Sequence, residues 1–120
     1  MRTFYPVFRY SDARSAIEWL CAAFGLSVNV VHDAPDGSVA HAQLTLDDGM
    51  IMVGEGVRPR LADDDGTVYV ALADVDGHCA QARAAGAEIV REPYDTDYGS
   101  REYAARDLAG NVWSFGTYRP

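Results

Sequence analysis

Between Ala13 and Phe24 the apolar residues Ala13, Ala16, Ile17, Leu20 and Phe24 recur at steps of three and four, the spacing that lines one face of an α-helix. Ser11 or Asp12 supplies the cap before this stripe and Gly25 the stop after it. Residues 3–10 are rich in aromatic and β-branched types and predict a strand, with Pro6 placing a free edge or a bulge there. Past the helix the period falls to two. Strands are expected over Ser27–His32, Val39–Leu46 and Met50–Gly54, separated by the turn residues Pro35-Asp36-Gly37 and Asp47-Asp48-Gly49.

The same order then returns. Thr67–Leu72 reads as a strand, Val75–Ala85 as a helix capped by Asp74 or Asp76 and ended by Gly86, and Ala87–Arg91, Arg101–Asp107 and Val112–Thr117 as strands. Asp12 and Asp74 stand about 62 residues apart and precede the two helices, which gives an internal repeat of that period. Phe24-Gly25-Leu26 answers Ala85-Gly86-Ala87, Asp36-Gly37-Ser38 answers Tyr98-Gly99-Ser100, and the Gly49 turn answers Leu108-Ala109-Gly110-Asn111. The expectation is one α+β domain over residues 1–120, built as β-α-β-β-β twice: module one 1–56, a linker 57–66 containing Pro59 and Asp63-Asp64-Asp65, and module two 67–120. One helix covers only one face of a four-stranded sheet, so two such modules are expected to turn their bare faces to a common cleft, with the helices outside, where a small molecule would sit.

Composition narrows the partners. All ten cations are arginines, scattered from Arg2 to Arg119 against 18 acidic residues, for a net charge of −8, so nucleic acid is an unsuitable partner. No apolar run approaches the roughly 18 residues of a membrane span, and the N-terminus lacks a signal-type apolar stretch, which predicts a cytoplasmic protein without a membrane partner. Cys21 and Cys79 fall in the two helices and read as buried thiols in a reducing compartment.

Several stretches carry a family resemblance: Tyr10-Ser11-Asp12-Ala13 through Ala23-Phe24-Gly25, His41-Ala42-Gln43-Leu44, Asp74-Val75-Asp76 through Ala84-Ala85-Gly86-Ala87, and above all the run from Gly99 to Trp113. Through them nearly the whole chain resembles the vicinal oxygen chelate superfamily of glyoxalase I, extradiol dioxygenases and the fosfomycin- and bleomycin-resistance proteins. It is most similar to the small glyoxalase-like, bleomycin-resistance-like branch. The resemblance implies paired modules, a homodimer, and a divalent ion held by side chains of the first and last strands of each module.

Those ligand positions land on Tyr5, on Met52 or Val53, on one of Thr67, Val68 and Tyr69, and on Ser114. None is His, Glu, Asp or Cys, the donors that offset a divalent ion's dehydration, so no metal or other cofactor is expected. The ligand-binding residues expected instead are Tyr5, Arg9, His41, Gln43, Tyr69, Tyr103 and Ser114. His41 and Gln43 share a strand face opposite Ala42, Leu44 and Leu46; Tyr5, Tyr69 and Tyr103 are placed on the bare face; Trp113 and Phe115 alternate with Ser114 and face the helices. Arg9, pointing inward beside Tyr5 and Val7, would need an anionic partner. The segment from Tyr94 to Gly99 reads either as a flap or as an ordinary hairpin connection. The function implied is binding of a small organic molecule without catalysis, an antibiotic or aromatic metabolite in this branch. The rivals are a metal-dependent lyase, isomerase, thiol transferase or dioxygenase, and a metal-free enzyme using Tyr5, His41 or Tyr103 as acid–base groups.

Overall fold

The computed structural model describes residues 4–56 and 68–120. The chain divides into two compact units, Met1–Asp63 and Asp64–Pro120. In the first, the order is β1 (Val7–Tyr10), α1 (Ala13–Phe24), β2 (Ser27–Asp33), β3 (Val39–Leu46) and β4 (Gly49–Glu55). In the second it is β5 (Val68–Ala71), α2 (Val75–Ala84), β6 (Glu88–Asp95), β7 (Arg101–Arg106) and β8 (Val112–Gly116). Each unit forms a four-stranded mixed sheet, ordered β1-β4-β3-β2 and β5-β8-β7-β6, with the first strand parallel to the last and the remaining pairs antiparallel. The α+β class and the doubled β-α-β-β-β order are as the sequence predicts. The linker with Asp63-Asp64-Asp65, and Thr67, lie outside the described residues.

Local chemistry explains the helices. The Asp12 carboxylate accepts from the Ser15 amide at 3.2 Å and caps α1, while Gly25 closes it in the left-handed region at φ 79°. Asp74 caps α2 in the same way, accepting from the Gly77 amide at 2.9 Å. The stripe Ala13, Ala16, Ile17, Leu20, Ala23 and Phe24 is buried against Phe8, Tyr10, Ala42, Leu44, Ile51 and Val53, the alternate residues of β1, β3 and β4. Each large aliphatic or aromatic side chain so buried contributes on the order of 1.5–3 kcal/mol. In the second unit Val75, Cys79 and Ala82 of α2 are buried, with Tyr103 and Ala105 of β7 and Trp113 and Phe115 of β8 forming the sheet side of the core.

Two strands run differently from expectation. β1 starts only at Val7, and β6 continues through Glu92 and Tyr94 to Asp95, with register shifts between Ile89 and Tyr94. The segment after Tyr94 is therefore a hairpin connection: the Thr96 amide donates to the Ser100 carbonyl at 2.7 Å and the Gly99 amide to the Thr96 carbonyl at 3.4 Å. The thiols also differ from the reading of two buried groups. Cys79 is buried but Cys21 is half-buried, because position 21 lies beside the apolar stripe of α1 and not within it.

Candidate functional site

In each unit the face of the sheet away from the helix collects side chains that no core requires. On the first unit, alternation along β3 sends Ala42 and Leu44 under α1 and leaves His41, Gln43 and Thr45 half-buried on the other side. Gln43 joins a polar chain: the Asn29 side-chain amide donates to Gln43 Oε1 at 3.0 Å, and Gln43 Nε2 lies 3.3 Å from His41 Nε2. His32, directly across the β2–β3 ladder from His41, stacks on it with ring centroids 6.0 Å apart. Met52 of β4 pairs with Gln43 of β3 on one side and with Val7 of β1 on the other, and so extends the face with a thioether.

Arg9 and Tyr5 are solvent-exposed. The Arg9 guanidinium lies across Gly54, its partner in the β1–β4 ladder, and donates to the Glu55 carbonyl at 3.4 Å. A Cβ on Gly54 would stand 3.1 Å from Arg9 Nη1, so the missing side chain makes the room. The cost of a buried cation, which called for an anionic partner, does not arise for an exposed one.

On the second unit the same logic sets Tyr69, Ser114 and Ala104 side by side, in the register Tyr69–Ser114 and Ala104–Ser114. Tyr103 does not join them. It is 1% exposed, lies under α2, stacks on Phe115 with centroids 4.9 Å apart and approaches His78 Nδ1 with its hydroxyl at 2.6 Å. Burial pushes its phenol far above the ordinary range. The placement of Tyr103 on the bare face is thus corrected. Tyr103 pairs directly with Phe115, and directly paired residues share a face; Trp113 and Phe115 face the helix, and Tyr103 follows them.

Its neighbour Glu102 takes the face instead. Glu102 Oε2 accepts from the Tyr98 hydroxyl at 3.0 Å and from Ser100 Oγ at 3.0 Å, and Oε1 from the Tyr94 hydroxyl at 3.4 Å. Ser100 itself is buried and held by the Thr96 hydroxyl, which accepts from its amide at 3.0 Å. The Tyr69 hydroxyl donates to the Tyr118 carbonyl at 2.9 Å, and a Cβ built on Gly116 would stand 2.5 Å from Tyr69 Oη and 2.7 Å from Glu102 Cγ. Desolvation raises the Tyr69 phenol, and donation to the Glu102 carboxylate raises that of Tyr98.

The residues expected from sequence therefore fall into two groups on separate units, His41 with Gln43 and Tyr69 with Ser114. Glu102, Tyr94, Tyr98, Asn29 and His32 are not among the binding residues expected from sequence. The face of Glu102 is set by register across the β7–β8 ladder, where it pairs with Gly116 and Tyr103 with Phe115, and no signal within its own strand singles it out.

The positions where a metal would be gripped fail on donor chemistry. Tyr5 is an exposed phenol, Met52 a neutral thioether on the open face, Val53 is buried, and Tyr69 and Ser114 offer neutral hydroxyls. These do not match the carboxylate and imidazole sets that hold divalent ions. Among the described residues no group of three or more His, Cys, Asp or Glu side chains is placed to hold one. Nor is any described helix long and apolar enough to cross a membrane.

Comparison with known proteins is consistent throughout. The family model described as Glyoxalase/Bleomycin resistance protein/Dioxygenase superfamily matches residues 4–115. The chain is 30% identical over 115 residues to the uncharacterized protein Mb0911c of Mycobacterium bovis, spanning 88% of this chain and 76% of that one. Among solved structures, TioX from Micromonospora sp. ML1 is 31% identical with a TM-score of 0.81, covering 99% of this chain and 98% of its own. Glyoxalase I from Zea mays, at 20% identity and a TM-score of 0.77, shares the fold over 99% of this chain and 45% of its own.

Proposed function

Because the chain belongs to the Glyoxalase/Bleomycin resistance protein/Dioxygenase superfamily, whose members commonly bind small ligands and form dimers, we propose that it is a metal-free, dimeric binding protein that retains a small organic molecule without converting it. One observation carries this reading: Ser114, where a metal ligand of the relatives is expected, and Tyr69, one of three candidates for another, are adjacent in register on the open face of the second sheet and bear only neutral hydroxyls. Such groups hydrogen-bond and stack well but do not replace an ion's hydration shell. His41, Gln43 and Asn29 add donors and acceptors on the first sheet. The ligand favoured is planar or amphipathic, an antibiotic or an aromatic metabolite, and the net charge of −8 draws cations to it from a distance that salt shortens. A cytoplasmic location accords with two cysteines that remain free.

The test combines metal analysis of protein purified without chelator with equilibrium dialysis against a panel of planar aromatic compounds. The expected result is substoichiometric metal, saturable binding and recovery of the compound chemically unchanged. A stoichiometric transition ion whose removal abolishes turnover overturns the reading, as does turnover of any bound compound. Sedimentation is expected to give a dimer.

A further inference from the structure

Glu102 differs from the other acids of its sheet. Asp95 pairs with Arg101, which Asp76 of α2 shares, Glu88 pairs with Arg106 and Glu92 with Arg83, so each acid of the other strands has a cation in contact. Among the described residues no ion pair reaches Glu102. Its three donors are neutral hydroxyls, from Tyr98, Ser100 and Tyr94, the last at 3.4 Å. A carboxylate offers about four acceptor directions, so Oε1 keeps room for a further donor and the full charge stays unanswered.

The surroundings of this charge are aromatic. Tyr98, 61% exposed, and Tyr69, 37% exposed, both bring their hydroxyls to the Glu102 side chain, and Tyr118 packs edge-on against Tyr98 with centroids 5.8 Å apart. Tyr94 shows what its class of ring attracts here: the Arg91 guanidinium sits 3.6 Å from its centroid. Ring faces carry negative charge, and Tyr98 and Tyr69 beside a carboxylate, with Tyr118 packed on Tyr98, make a site that rewards positive charge twice, by cation–π attraction and by direct pairing.

The geometry points to a subsite for an organic cation on the second unit, with a protonated or quaternary amine seated against Glu102 and the rings of Tyr69, Tyr98 and Tyr118. This rests on the binding function proposed above and names the chemical class of its ligand. The buried Ser100 hydroxyl and the Tyr98 hydroxyl fix the carboxylate before the ligand arrives, which limits what binding must order. Gly116 keeps the floor open beside both Tyr69 and Glu102.

The test uses two probes of equal shape, choline and its neutral carbon isostere dimethylbutanol, titrated into the full chain at constant ionic strength and followed by the tyrosine ring resonances. Choline is expected to bind roughly tenfold more tightly than the isostere. Glu102→Gln should lower the ratio severalfold, leaving only the part that the rings supply, while Asp48→Asn, the same change of net charge in the other unit, should leave it within about twofold. Tyr98→Leu should weaken choline alone, and provides the reading if Glu102→Gln does not fold. Equal binding of the two probes overturns the proposal, as does an unchanged ratio in Glu102→Gln, or in Tyr98→Leu where that variant provides the reading, or an equal loss in Asp48→Asn. If neither probe binds while the aromatic panel does, the cation subsite is refuted and the broader binding function stands. If the panel fails as well, both fall.

Discussion

Replacing Asp107 with alanine should be among the most damaging single changes to the sheet that carries Glu102 and Ser114. Asp107 is 7% exposed and accepts four hydrogen bonds at the β7–β8 turn: from the Ala109 amide, the Asn111 amide and the Asn111 side chain at 2.9 Å each, and from Trp113 Nε1 at 3.0 Å. Removal leaves the indole N–H of a fully buried tryptophan without this acceptor, a loss of about 1–3 kcal/mol. The two loop amides lie nearer to water and regain part of their bonding, so they add about 0.5–1.5 kcal/mol each. The sum is roughly 2–6 kcal/mol, a large share of the 5–15 kcal/mol typical of a domain. Urea unfolding followed by far-ultraviolet circular dichroism measures it as a lower midpoint with an unchanged slope. Asp107→Asn, which keeps the shape and one acceptor, should lose roughly half as much. A double-mutant cycle with Trp113→Phe should show a coupling of about 1–2 kcal/mol. A loss below about 1 kcal/mol for the alanine variant, or no coupling, would refute the claim that this carboxylate fixes the hairpin.

Three further outcomes follow from particular contacts. Gly116→Ala should lower small-molecule binding with only about 1–2 kcal/mol of lost stability, because the new methyl group meets Tyr69 Oη and Glu102 Cγ and not the core; calorimetric titration alongside unfolding separates the two effects. Tyr103→Phe removes the contact with His78 at a cost of about 1 kcal/mol, read as a drop in melting temperature. The same variant tests a pH effect whose sign is fixed: the folded phenol is raised, so above about pH 10 the unfolded chain gives up its proton first and stability falls by at most about 1.4 kcal/mol per pH unit. Urea midpoints measured across that range should fall more gently in Tyr103→Phe than in the parent. Both thiols are raised by burial, so a disulfide reagent at neutral pH should react slowly with native protein, at Cys21 before Cys79, and rapidly after unfolding; fast labelling of Cys79 in the folded state would contradict its burial.

The order of elements was legible because its causes are local. Asp12 and Asp74 satisfy the amides of the turns that follow them, Gly25 adopts a backbone angle few residues tolerate, and alternation along β3 already separated His41 and Gln43 from Ala42 and Leu44. The doubled pattern then announced two sheets of one design. Ser114 could be assigned to the open face for the same reason, since its strand neighbours Trp113 and Phe115 are too large and apolar to stay out of the core.

Tyr103 marks where that reasoning stops. A period of two states that Tyr103 and Ala105 share one face and Glu102 and Ala104 the other, but not which face meets the helix, and a tyrosine suits either. The choice is made across the ladder, where Tyr103 pairs with Phe115 and Glu102 with Gly116, and beneath α2, where His78 receives the tyrosine. The sequence by itself thus determined which residues travel together. Only the tertiary structure decided that a carboxylate, and not a phenol, would stand among the tyrosines of the open face, because register is a property of two strands at once and cannot be read from either alone.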